Sequence, residues 1–168
     1  MIRSARLSDL ACLADIERSA AERFRGTALA WAADGDTLPS QELAAAQAAG
    51  LLWVAQPDGE VRGFALARPM GGDLFLAEMS VALPWQGHGL GRALLQAVLA
   101  HARAAGVYGA VVLTTDRELP WNAPFYRRQG FAELSAPLAP LLQARLQAES
   151  DAGFDVARRC AMAYPLNA

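Results

Sequence analysis

The chain has 168 residues, 54% of them hydrophobic and 19% charged, which suits a globular protein and excludes a disordered or low-complexity one. At this length one compact domain over residues 1–168 is the expected organisation. The formal net charge is −2 and all 15 cations are arginine, so no basic field favours nucleic acid and no lysine side chain is available for modification.

Ile2 to Ala5 suits a short first strand, and Ser8 reads as the N-cap of a helix whose apolar positions Leu10, Leu13 and Ile16 lead toward Phe24. Gly26 to Pro39 is loop-like. Leu38-Pro39-Ser40 then opens an alanine-rich helix from Gln41 to Ala49, ended by Gly50. Leu51 to Gln56 and Val61 to Arg68 flank the turn-rich Pro57-Asp58-Gly59-Glu60 and suggest a hairpin, with a second hairpin turn at Met70 to Asp73. Leu74 to Leu83 is rich in strand-forming residues. Leu90, Ala93/Leu94, Ala97/Val98 and His101 then recur at helical spacing up to a stop at Gly106. Val107 to Thr115 is almost wholly apolar, as expected of a strand covered on both faces, and completes a right-handed parallel crossover. Asn122 can cap a short helix ending at Gly130, Phe131 to Leu134 reads as a strand, Leu138 to Leu146 has helical spacing broken at Asp151-Ala-Gly153, and Arg159 to Tyr164 can return as the last strand.

Gln86-Gly87-His88-Gly89-Leu90-Gly91-Arg92 lies between the strand and the long helix. Its glycines allow close backbone approach, and the first N–H groups of the helix have no internal partner, so a phosphate fits there. A dinucleotide fingerprint would need glycine where Arg92 stands, and a Walker loop would need a lysine. What remains is Gln/Arg-x-x-Gly-x-Gly/Ala, met by Gln86, Gly89 and Gly91. About 35 residues later comes Asn122-Ala-Pro-Phe-Tyr126-Arg-Arg-Gln-Gly130-Phe131. Together the two segments resemble the GNAT superfamily of acyl-CoA-dependent N-acyltransferases, over roughly residues 1 to 134 and most strongly from 74 to 131.

The resemblance implies a mixed α/β fold: a central, mostly antiparallel sheet with one parallel strand-helix-strand crossover, its strands splayed around the coenzyme. It implies acetyl-CoA as acyl donor, with no metal. The main-chain N–H groups of Gln86, Gly87, His88, Gly89, Leu90 and Gly91 would take the pyrophosphate with Arg92 adding charge, and the backbone of Met79 and Val81 would pair with the pantetheine arm. Asn122 matches a coenzyme-contacting position, although helix capping explains it equally well. His88 is expected to face the surface, and His101 to be structural.

A lysine-like amine has a pKa of about 10.4, so presenting it neutral at pH 7 costs roughly 4–5 kcal/mol and needs a proton acceptor. Glu78, in an otherwise apolar strand where burial would lift its pKa, is the candidate base; water in that role and an exposed or salt-bridged carboxylate are the competing readings. Tyr126 occupies the tyrosine of the family's Phe-Tyr pair, beside the coenzyme sulfur in similar enzymes, and is the candidate acid; a core aromatic is the alternative. Phe24, Trp31 and Trp85, with Asp34 and Asp36, are candidates for the acceptor wall, Asp34-Gly35-Asp36 also reading as a solvated turn.

The expected function is acetyl transfer to a primary amine, most simply a small molecule, by direct attack. A regulatory or toxin-like acyl-CoA-binding module is the alternative from another class, and a protein N-terminus or lysine would be the same chemistry on a larger acceptor. Cys12 and Cys160 lack the spacing of a metal site or redox pair and suit buried positions. With no apolar leader and no uninterrupted span of about 18 apolar residues, a soluble cytoplasmic protein is expected, without membrane or nucleic-acid partners and with a homodimer left open.

Overall fold

A computed structural model describes residues 1–166 of the chain. The strands are β1 (Ile2–Ser4), β2 (Leu52–Ala55), β3 (Gly63–Met70), β4 (Asp73–Val81), β5 (Ala110–Asp116), β6 (Ala132–Glu133) and β7 (Arg159–Pro165), and the helices are α1 (Leu10–Ala21), α2 (Ser40–Ala48), α3 (Leu90–Ala105), α4 (Ala123–Arg128) and α5 (Pro140–Asp151). The strand order is β1-β2-β3-β4-β5-β7-β6, with β4 and β5 parallel and the other recorded pairings antiparallel. This is the mixed, mostly antiparallel sheet with one parallel crossover that the resemblance implies. The residues group into two compact units: Met1–Arg68 with Ala77–Ala100, and Pro69–Leu76 with the chain from His101 onward.

In the first unit, β2 pairs with β1 (Ile2 opposite Ala55) and with β3 (Leu52 opposite Leu66). Leu13 and Ile16 of α1, three apart and so on one helical face, bury against Leu43, Leu52, Val54, Phe64 and Leu66. Each such side chain contributes about 1.5–3 kcal/mol of burial.

The expected cap at Ser8 is corrected. A 3-10 turn at Leu7–Asp9 precedes α1, and Asp9 organises it by accepting the Arg6 N–H at 2.7 Å and the Arg3 guanidinium at 2.7 and 3.0 Å. The Arg3 guanidinium of β1, with the Arg6 N–H, holds the Asp9 carboxyl below its usual range against burial.

The loop expected from Gly26 to Pro39 contains a 3-10 turn, Ala30–Asp34. Arg25 holds it, donating to Glu22 at 2.7 Å and to Asp34 at 2.7 Å. β3 begins at Gly63, two residues later than the apolar run suggests. A Cβ on Gly63 would sit 2.9 Å from the Ser80 carbonyl oxygen and 3.1 Å from Val81 Cγ2, so only glycine lets the strands approach this closely.

In the second unit, β5 pairs with β4 at Leu74–Val111 and Phe75–Val112, and with β7 along its whole length from Ala110–Pro165 to Asp116–Arg159. It starts three residues after the apolar run begins, because Val107 is exposed where the chain leaves α3. Glu149 of α5 is buried and joins three elements: it accepts from Thr114 of β5 at 2.5 Å, from Arg145 of its own helix at 3.1 Å and from Arg159 of β7 at 3.1 Å. Burial pulls the Glu149 carboxyl up, but Arg159 and its other partners outweigh this and leave it below the ordinary value. Cys160 is buried, which pushes its thiol up to about 11 and makes it unreactive.

Candidate active site

The glycine-rich segment behaves as its composition demands. Gly87 and Gly89 have φ of +78° and +84°, left-handed values that L side chains rarely adopt, and a Cβ at either would meet nothing within 4 Å. The turns they make deliver the chain into α3, whose first intrahelical bond runs from the Ala93 N–H to the Gly89 carbonyl at 3.0 Å. The N–H groups of Leu90, Gly91 and Arg92 therefore have no partner one turn back and stand at the positive end of a 16-residue helix. Arg92 is exposed beside them. The chemistry suits a phosphate: three donors, a helix dipole, one cation and open space above the glycines.

Gln86 fastens this loop from below. Its Nε2 donates to the Val81 carbonyl at 2.9 Å and to the Ala20 carbonyl of α1 at 3.5 Å, while its Oε1 is buried without a hydrogen-bond partner among the described residues. His88 is exposed, as expected, with Nδ1 2.9 Å from the Gln86 carbonyl. Met79 reaches the start of α3, its Cε 3.9 Å from where a Cβ on Gly91 would lie. Val81 is buried.

Glu78 is half-buried and accepts a 2.7 Å hydrogen bond from Ser80 Oγ, two residues along and therefore on the same strand face. A residue that sequence reasoning passed over stands with it. Glu17 of α1 accepts the Leu38 N–H at 3.0 Å, and its carboxyl is raised to about 7, first by burial and then by repulsion from Glu78, with the Leu38 N–H and Arg18 pulling the other way and Glu42 adding to the rise. Its signal in the sequence was only a carboxylate next to the apolar face, at Ile16-Glu17.

The expected acceptor wall divides. Trp85 lies against the Arg62 guanidinium, 5.2 Å from ring centroid to Cζ, and that arginine is also paired with Asp58 at 2.8 Å. Asp34 is committed to Arg25. Phe24 ends the 3-10 turn Glu22–Phe24, and Trp31, 47% exposed, belongs to the one that follows. Asp36 is exposed.

In the second unit, Asn122 occupies the N-cap position of α4, and its carbonyl accepts the Tyr126 N–H at 3.1 Å, but its side chain makes no capping bond. Tyr126 is half-buried with its ring edge-on to Phe125 at 5.1 Å and to Phe131 at 5.6 Å. The turn leading into α4 is organised by Asp116, which is fully buried at the end of β5. It accepts the Glu118 and Leu119 N–H groups at 2.8 Å and a two-point contact from Arg158 at 2.9 and 3.1 Å. Among the described residues no group of three or more His, Cys, Asp or Glu is placed to hold a metal ion, and no helix is long and apolar enough to cross a membrane.

The model of the acetyltransferase (GNAT) family matches residues 13–131, a span that includes Glu17, Glu78, the glycine loop and Tyr126. The chain belongs to the GNAT acetyltransferase family. Solved GNAT structures share its fold. The ribosomal-protein-S18-alanine N-acetyltransferase of Escherichia coli is 20% identical and matches all of this chain and 94% of its own, with a TM-score of 0.69. A GNAT family acetyltransferase of Brucella melitensis, solved with acetyl-CoA, is 29% identical over 79% of this chain and 82% of its own, with a TM-score of 0.58. The yncA protein of Salmonella typhimurium, also solved with acetyl-CoA, is 22% identical over 99% of this chain and 94% of its own, with a TM-score of 0.70.

Proposed function

We propose that this GNAT protein transfers an acetyl group from acetyl-CoA to a primary amine by direct attack, with no acyl group passing through an enzyme side chain. The observation that carries the reading is the pair of left-handed glycines that turns the chain into α3 with three helix N–H groups free of helical partners. When bound, acetyl-CoA supplies the acyl group as a thioester already activated toward nucleophiles. The residues that would hold it are Gly87 through Gly91 by their main-chain N–H groups, Arg92 by its charge, the backbone of Met79 and Val81, and Asn122. The Gln86 N–H, expected among the donors, is already given to the Leu83 carbonyl at 3.2 Å, so Gln86 serves by anchoring the loop.

Glu78 takes the proton of the acceptor's ammonium, directly or through water. Its bond from Ser80 fixes one carboxyl oxygen and orients the other. Tyr126, a phenol that stays protonated at neutral pH, gives its proton to the departing sulfur. The edge-on contacts with Phe125 and Phe131 set the plane of its ring, and the fixed carbonyl of Asn122 sets its place on α4. The acceptor is proposed to be a small-molecule amine.

Two measurements test the proposal. Acetyl-CoA at a hundred times its Kd should stabilise the protein by about 2.7 kcal/mol, and an unchanged melting temperature at saturation would remove the cradle. Free thiol should then be released with at least one member of a panel of amines and of peptides with free N-termini. Binding without turnover on every member would instead favour a coenzyme-sensing module.

A further inference from the structure

The inference concerns the acceptor side and rests on the reading above. Helix α1 runs along the second half of β4 and the segment after it. Leu13 and Ile16 share a buried cluster with Ala77 and Ala82, Ser19 Oγ accepts the Leu83 N–H at 3.0 Å, and the Ala20 carbonyl accepts from Gln86. Glu17 lies within this run, one residue past Ile16 and one turn before Ala20, and its carboxylate is within electrostatic reach of Glu78. The other charges facing it are Glu42 from α2 and Arg18 from its own helix; Glu42 is itself paired with Arg68 of β3 at 2.8 Å. The Leu38 N–H bond fixes Glu17, but a glutamine oxygen would serve that bond equally well, so the latch alone does not call for a carboxylate.

We propose that Glu17 is a positioning residue for Glu78, a second negative charge set beside the base so that the pair accepts the acceptor's proton more readily than a lone strand carboxylate would. Two carboxylates at close quarters resist being ionised together, and a proton arriving at either relieves both. The step balances as follows: one N–H bond of the acceptor ammonium breaks and an O–H bond forms on the Glu17–Glu78 pair; the freed lone pair forms the C–N bond as the C–S bond breaks, and the departing sulfur takes the proton of Tyr126. The second proton that nitrogen loses restores Tyr126 through water, and the proton on the carboxylate pair passes to water when product leaves. Burial contributes to the same end, since it keeps Glu17 titrating near neutrality.

Glu17→Gln removes the charge and keeps an oxygen for Leu38. The assay is kcat/KM against pH for this variant and the wild type, read as free thiol with the best amine of the panel. The acid limb should move to lower pH, raising the ratio of the rate at pH 6 to that at pH 8 by about fivefold for a shift of one unit, while the plateau falls and the thermal response to acetyl-CoA stays unchanged. A purely structural Glu17 would lower both rates alike, and an unaltered ratio overturns the proposal.

A second arm needs no turnover. In carboxyl-carbon NMR, Glu78→Gln should bring the Glu17 midpoint down from near 7, and an unmoved midpoint also overturns the pairing. If the wild type binds acetyl-CoA yet acetylates nothing, the functional reading fails by itself, and the NMR titration still decides whether the pair exists.

Discussion

Alanine substituted at two glycines of one loop, Gly89 and Gly91, should behave oppositely. Gly89 has a φ of +84°, and an alanine held there costs about 1–2 kcal/mol of backbone strain. A Cβ on Gly89 meets nothing within 4 Å, so no steric clash adds to this. The strain must surface in one of two observables. If the loop keeps its shape, Gly89→Ala loses about 1–2 kcal/mol of stability at unchanged coenzyme affinity. If the loop relaxes, the N–H groups turn away and affinity falls about 5- to 30-fold at nearly unchanged stability. Gly91 lies inside α3 without positive φ, and its Cβ would make only an ordinary contact with Met79 Cε at 3.9 Å. Gly91→Ala should therefore gain up to about 1 kcal/mol of helix stability and leave affinity within about twofold. Calorimetric titration with coenzyme A, paired with chemical denaturation, reads both quantities. The reasoning is refuted if Gly89→Ala matches the wild type in both, or if Gly91→Ala loses as much affinity as Gly89→Ala.

Other substitutions probe the remaining supports. Asp116→Asn should cost about 3 kcal/mol in denaturant, the low end for breaking a buried ion pair, because Arg158 keeps Glu118 at 2.6 Å. Burial raises the Asp116 carboxyl, but the Leu119 N–H, Arg158 and the Glu118 N–H outweigh it and leave it depressed. Its contribution to stability is thus present above the unfolded value of about 3.9 and lost as pH falls through the folded one, and Asp116→Asn should lack that acid-sensitive component. Glu17 has the opposite sign: with a raised folded value its contribution is fully present below the unfolded pKa and disappears as pH rises through about 7, so Glu17→Gln should melt higher than the wild type at pH 8 but not at pH 4. Tyr126→Phe keeps the ring contacts with Phe125 and Phe131, so turnover should drop at least tenfold with coenzyme affinity little changed; full turnover would remove its acid role. Gly63→Ala should destabilise by about 1–3 kcal/mol, because its Cβ would press to 2.9 Å from the Ser80 carbonyl; an unaffected midpoint would mean the strands part easily.

What the sequence reveals and what it hides follow from the range of the forces involved. The glycine loop, α3 and β5 are legible because their determinants are local: a left-handed turn needs glycine where it occurs, and an amphipathic period is written in consecutive residues. The beginning of α1 is not, because the turn that precedes it is held by the contact of Asp9 with Arg3 of β1, a partner on another element. Glu17 is hidden for the same reason, since its hydrogen-bond donor, Leu38, is 21 residues away and its electrostatic neighbour, Glu78, is on another strand. Trp85, read from the sequence as a candidate wall for an amine, carries on its ring a cation that the local sequence does not show, Arg62 of the same chain. Asp34 likewise is already neutralised by Arg25.

The amide of Gln86 cannot turn over. Both neighbours of its nitrogen are carbonyl oxygens, Val81 and Ala20, so exchanging oxygen for nitrogen would set like against like at each contact. An acid at this position would do the same permanently. Exchanging the side chain for glutamate, a change of one atom, would unmoor the glycine turns from a strand and a helix at once, which makes nitrogen rather than size or shape the property this position selects.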